Sequence, residues 1–122
     1  MVVMAGRPSV WIGHTVLTVR DVERSADYWR DLGLREVERS QDVAVLELRG
    51  GTHLLLLPGS PDAGGAPFDL MVEDLDATHA KWTAQGLDPS PIESGQFHTF
   101  FTVRDPNGYL VKVYSSHVVG EV

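Results

Sequence analysis

The chain contains no cysteine in its 122 residues. That removes disulfides, thiolate metal sites and a thiol nucleophile together. No apolar run approaches the roughly 20 residues needed to cross a bilayer. Positive charge is scarce as well: 10 Lys and Arg stand against 17 Asp and Glu, for a net charge of -7. Nucleic acid is therefore a poor partner, because its binding rests on cationic contacts to phosphates. An anionic membrane surface is equally poor. The acidic balance by itself implies no more than solubility. No phosphate loop, Ser-His-Asp order or nucleophile elbow is present. The opening MVVMAGRPSV lacks the basic start and long apolar middle of a signal peptide, so the cytoplasm is the expected compartment. Residues 1–8 read as a loose leader.

What the chain does have is an internal repeat. HTVLTVRDVERSADYWRDLGL from His14 and PFDLMVEDLDATHAKWTAQGL from Pro67 align at a spacing of 53 residues. Leu17/Leu70, Val19/Val72, Asp21/Asp74, Trp29/Trp82, Gly33/Gly86 and Leu34/Leu87 are identical. Such a period sets the fold before any local reading does. A chain of this length is one domain, or two half-domains sharing a core.

Each copy starts as a strand followed by a helix. Ile12 to Val19 alternates and is rich in β-branched residues. Asp21 is an N-cap residue; Val22, Ala26 and Trp29 follow at helical spacing, and Gly33 ends the helix. Strands are expected at 34–39, 43–48 and 52–57, with Gly50-Gly51 as the last hairpin. The Gly- and Pro-rich stretch 58–66 is a linker. In the second copy 68–72 is a strand and Asp74 caps a helix buried through Leu75, His79 and Trp82. A weak edge strand lies near Ile92, beside Pro89 and Pro91. The strands 96–104 and 109–115 form a hairpin across Asp105-Pro106-Asn107-Gly108. The fold class is α+β: one domain over 1–122, built of two βαβββ modules, about 10–58 and about 67–116.

The order of these pieces resembles the vicinal oxygen chelate superfamily, the glyoxalase, bleomycin-resistance and extradiol dioxygenase group. Three segments carry the resemblance: His14 leading into Val19-Arg20-Asp21-Val22; Ser25-Ala26-Asp27-Tyr28-Trp29 with Leu32-Gly33-Leu34; and Asp105-Pro106-Asn107-Gly108-Tyr109. The resemblance implies curved sheets around a cavity, completed in many members by pairing of two chains into a homodimer. Metal-using members hold a divalent ion through four points, one on the first and one on the last strand of each module. At those points this chain has His14, Leu54 or Leu55, Pro67 and Lys112. One ligand of four remains, and an ammonium opposes a cation. No metal and no other cofactor is therefore expected.

The candidate site residues follow from this template and from strand alternation. His14 is either an acid–base group, imidazole titrating near neutrality, or a leftover polar side chain bonded to backbone. Lys112 shares a strand face with Leu110 and Tyr114. It either pairs with a substrate carboxylate or phosphate, pairs with Asp69, or faces solvent. Asp69 lies on the side of Pro67, as a base or as a salt-bridge partner. Gln96, His98, Phe100 and Thr102 are assigned to the cavity, and Phe97, Thr99, Phe101 and Val103 to the core. His98 is a candidate ligand contact; Phe100 and Tyr114 offer stacking surfaces for a planar compound. His53 is placed outside the site, His79 on the helix face and His117 in the tail. Trp29 and Trp82 read as core anchors. Trp11, unmatched by the repeat, belongs near a dimer seam or cavity mouth.

Two functions remain open. One is a metal-free module that sequesters a small organic compound, which an aromatic-lined cavity suits. The other is a metal-independent lyase or isomerase using His14, His98, Lys112 or Asp69 as acid and base. Metal-dependent glyoxalase or dioxygenase chemistry ranks below both.

Overall fold

The structure, a computed structural model, describes residues 6–122. Of the leader expected over residues 1–8, residues 1–5 lie outside the described part. The first module runs β1 (His14–Val19), α1 (Val22–Leu32), β2 (Arg35–Arg39), β3 (Ala44–Glu47) and β4 (His53–Pro58). The second runs β5 (Leu70–Val72), α2 (Leu75–Ala84), β6 (Glu93–Ser94), β7 (Thr99–Arg104) and β8 (Leu110–Ser115). The two sheets have the same order, β1-β4-β3-β2 and β5-β8-β7-β6. In each, the first and last strands are parallel neighbours and the others antiparallel.

Both helices start the same way. The Asp21 carboxylate accepts from the Arg24 N–H at 3.1 Å, and the Asp74 carboxylate from the Ala77 N–H at 3.0 Å. Each satisfies one of the donors a helix N-terminus leaves free. Gly33, at φ 126°, ends α1, its N–H donating to the Arg30 carbonyl at 2.9 Å. Val22, Ala26 and Trp29, marked by helical spacing, lie on the buried face of α1, which also takes in Ser25 and Leu32. α2 buries only Leu75 and Trp82. Trp29 and Trp82 are both core residues, as expected. Apart from β7, which begins three residues later than expected, the strands start and end within two residues of the positions read from the alternation, as such boundaries usually do. Two details differ. The Gly50-Gly51 connection is a short 3-10 turn, Arg49–Gly51. Phe97, assigned to the core, is exposed, because β7 begins only at Thr99 and alternation does not extend into the loop before it. Gln96 sits in that same loop and is exposed too.

One hydrophobic core spans both modules. The tie between them is the Asp105–Gly108 turn. Asn107 is buried; its Oδ1 accepts from the Arg20 N–H at 3.0 Å, and its Nδ2 donates to Ser25 Oγ at 3.1 Å and Asp105 Oδ2 at 3.0 Å. Asp105 Oδ1 accepts from the Asn107 and Tyr109 N–H groups, each at 2.9 Å. The Tyr109 hydroxyl donates to the Thr18 carbonyl at 3.0 Å. Trp29 reaches Phe68 with ring centres 5.8 Å apart. The turn that closes β7 and β8 thus docks the second module on the end of β1 and the start of α1.

Candidate functional site

Alternation divides each sheet into a helix-covered face and an open face. Under the helices lie Leu17, Val19, Ala44, Leu46, Leu54 and Leu56 in the first sheet, and Phe101, Val103, Val111 and Val113 in the second. The opposite residues line the open faces. The assignment of Phe100 and Thr102 opposite Phe101 and Val103 holds.

Four of the six candidates meet on the open face of the second module. The Lys112 Nζ lies 5.6 Å from the centre of the Phe100 ring. Phe100 and Tyr114, cross-strand partners, have ring centres 5.7 Å apart. His98, just before β7, meets Tyr114 edge-on at 5.2 Å and stacks on His117 of the C-terminal tail at 4.7 Å. Lys112 and His98 are exposed, Phe100 and Tyr114 half-buried. An ammonium over an aromatic face gains from the ring quadrupole. Among the described residues Lys112 has no carboxylate within 4.0 Å.

Asp69 is not that partner. It directly precedes β5, whose Leu70 pairs with Val113, yet it makes no ion pair with Lys112. Asp69 instead lines a hollow of about 590 Å³ with Gly33, Leu34, Leu48 and Val118. A second hollow, about 460 Å³, is lined by Trp11, Arg49 and the tail residues Val118 to Val122. Trp11 is 66% exposed there.

His14 stands apart from the aromatic cluster, on the open face of the first module. Its β4 partner is His53, with ring centres 6.0 Å apart and planes at 28°. The exclusion of His53 from that side is therefore corrected. Leu54 and Leu56 are buried, so His53, Leu55 and Leu57 share the face of His14. The row continues across the sheet. His53 Nε2 lies 3.2 Å from Glu47 Oε1, and Arg35 forks onto Glu47 Oε2, with Nε at 2.9 Å. The Arg35 hydrogen bonds first, then that of His53, hold the Glu47 carboxyl below the usual carboxylate range. Strand alternation alone does not reveal this row. The pairing of β1 with β4 and of β4 with β3 does.

The resemblance implies a divalent ion in many relatives. Of its four positions only His14 offers a donor; Pro67 has none, Leu54 is buried in the core, Leu55 carries no donor atom, and the Lys112 ammonium opposes a cation. The residues present do not fit that ion. Among the described residues no three His, Asp or Glu side chains converge to hold a metal, and no helix is long and apolar enough to cross a membrane.

None of the curated proteins matches the chain. Among solved structures, a glyoxalase-related enzyme from Clostridium phytofermentans superposes with a TM-score of 0.74 at 20% identity, over 89% of this chain and 97% of that one. A lactoylglutathione lyase from Agrobacterium tumefaciens gives 0.72 at 20% identity, over 90% and 96%. A member of the glyoxalase/bleomycin resistance protein/dioxygenase superfamily from Sphaerobacter thermophilus gives 0.75 at 18% identity, over 88% and 98%. At these identities the likeness is one of fold. The sequence model of the family matches residues 11–113, and with that match spanning both modules, the chain belongs to the Glyoxalase/Bleomycin resistance protein/Dioxygenase superfamily.

Proposed function

We propose that the protein binds a small, planar, anionic organic compound on the open face of its second module, without a metal at the positions its relatives use. The observation that carries this reading is the Lys112 ammonium set over Phe100, beside Tyr114 and His98, with no carboxylate partner among the described residues. A cation beside apolar surface favours an anion, and the rings favour a flat one. Mass spectrometry of what co-purifies identifies the compound. Titration with planar aromatic carboxylates, benzoate first, measures the site. Lys112→Met is expected to weaken binding by about 1.5–3 kcal/mol, the range of a charged hydrogen bond, with the fold intact. Unchanged affinity places the compound elsewhere.

The competing reading is a metal-independent lyase or isomerase, supported by the titratable His98 beside that cation and by a relative of this fold that is a lactoylglutathione lyase. A compound that returns from the protein unaltered supports binding; a converted one supports the enzyme.

The site requires a cover, and we propose a second copy of the chain. Val16, Leu57 and Met71 are 44, 37 and 46% exposed on or beside the open faces. Apolar groups gathered on sheet faces mark interaction surfaces. Sedimentation is expected to give a dimer at micromolar concentration; a monomer alone overturns this assignment.

A further inference from the structure

The turn that docks the modules on each other holds the only asparagine of the chain, and a glycine follows it. We propose that Asn107–Gly108 is a deamidation site, kept closed by the docking of the two modules and opened when they separate, whose product cannot dock again. None of its residues belongs to the Lys112 cluster.

The reaction needs only the pair itself and water. The Gly108 backbone nitrogen, after giving its proton to solvent base, attacks Asn107 Cγ. The bond from Cγ to Nδ2 breaks, ammonia leaves with protons from water, and a cyclic succinimide closes. Water then opens that ring at one of its two carbonyls, leaving aspartate or isoaspartate. No oxidant or reductant takes part. Glycine favours the attack because it has no Cβ to obstruct the closing ring.

The docked turn withholds each requirement of that reaction. Asn107 is 5% exposed, so little water or base reaches it. Its Nδ2 donates to Ser25 Oγ at 3.1 Å and to Asp105 Oδ2 at 3.0 Å, and its Oδ1 accepts from the Arg20 N–H at 3.0 Å. These bonds fix Cγ, and Ser25 and Arg20 both belong to the first module. The attacking nitrogen is engaged as well, the Gly108 N–H donating to the Asp105 carbonyl at 3.0 Å. Separation of the modules removes the Ser25 and Arg20 partners, frees the amide and admits water.

The product does not fit the place left by the amide. Aspartate sets a carboxylate where Nδ2 donated, against the carboxylate of Asp105. Two like charges so close, with little water, are unfavourable. The Arg20 guanidinium reaches the backbone carbonyl of Asn107, at 3.5 Å, and does not bond its side chain. Isoaspartate adds a backbone atom to the turn and so displaces the Gly108 N–H from the Asp105 carbonyl.

The test incubates the full chain at mildly alkaline pH, folded in buffer and unfolded in guanidinium chloride. Mass spectrometry follows the change from amide to acid, and peptide mapping places it at residue 107. The unfolded chain is expected to convert over days to a mixture of aspartate and isoaspartate. The folded chain should convert at least about a hundredfold more slowly, as a site that reacts only on local opening does. Ser25→Ala removes one first-module partner. It should speed the folded reaction about tenfold, the rate equivalent of one lost hydrogen bond, and leave the unfolded rate unchanged. Chain deamidated in denaturant and then diluted should refold with a lower guanidinium midpoint, or not at all, and Asn107→Asp should behave alike. Equal rates in folded and unfolded wild type overturn the gate, and that comparison decides it even where Ser25→Ala does not fold. A folded Ser25→Ala chain with an unchanged rate overturns it too. Absence of conversion in denaturant overturns the site. Deamidated chain that refolds with the midpoint of the amide form overturns the block on docking.

Discussion

The two modules share a strand order and a helix cap but carry different chemistry on their open faces. The first presents aliphatic residues crossed by one polar row, Arg35, Glu47, His53 and His14. The second presents aromatic rings and one ammonium with no carboxylate partner among the described residues. Their covered faces differ in the opposite sense. α1 buries five residues on its inner face and α2 only two. What both copies retain is what the fold requires: a capping aspartate, the alternation of β1 and β5, and a tryptophan in the last turn of each helix. What they do not share is what a ligand would meet. The repeat therefore separates architecture from function within one chain.

The largest expected effect tests the shared part. Trp29 is wholly buried, and its ring meets Tyr28 and, across the module boundary, Phe68. Trp82 is nearly as buried but meets chiefly Phe101, at 5.6 Å. Truncating a buried tryptophan costs about 3–5 kcal/mol. Urea unfolding is expected to place Trp29→Ala at the upper end of that range and Trp82→Ala at the lower. The reverse order would show that the second module, despite its sparser helix, dominates the core.

Next in size is the contact that joins the modules. Asn107→Ala removes one acceptor and two donors, leaving the Arg20 N–H and the Ser25 hydroxyl without those partners. The loss should be about 2 kcal/mol, the cost of unpaired buried polar groups. It should also loosen one module against the other, seen as faster amide exchange at the end of β1 with little change inside β7. A uniform change across both sheets would mean that the core alone holds them together.

Much of this was legible in the sequence because it is local. Caps, turn glycines and helical spacing act within a few residues, and the repeat let each copy check the other. The family's turn was also legible as a turn, though not as the docking point it proves to be, since the partners of Asn107 lie more than 80 residues away. Phe100, Lys112 and Tyr114 share a face as alternation on two adjacent strands predicts, while His98 joins them from the loop before β7, where alternation does not reach. His53, Glu47 and Arg35 did not follow from alternation alone. Their association depends on which strands neighbour one another and in what register, and a one-residue change of register sends a side chain to the other face. Asp69 failed for a related reason: it lies just outside β5, where strand alternation no longer fixes its direction.

The smallest predicted effect concerns a flaw on α1 that α2 lacks, its matching position being Lys81. The Tyr28 hydroxyl is buried with no hydrogen-bond partner among the described residues. Burial, and secondarily the charge of Asp105, push its phenol above the ordinary value of 10.0. The sign follows from linkage. Below pH 10 the phenol is protonated in both states and the shift contributes nothing against stability. Above it the unfolded chain releases the proton while the folded chain retains it, so stability falls as pH rises. Tyr28→Phe removes both the unsatisfied hydroxyl and the titration. A gain of up to about 1 kcal/mol is expected at pH 7, a fraction of the cost of an unpaired buried hydroxyl. Between pH 9 and 11 the wild type should lose stability more steeply than the variant. Parallel slopes in urea unfolding across that range would mean that the hydroxyl reaches water in solution and that the first helix is as free of strain as the second.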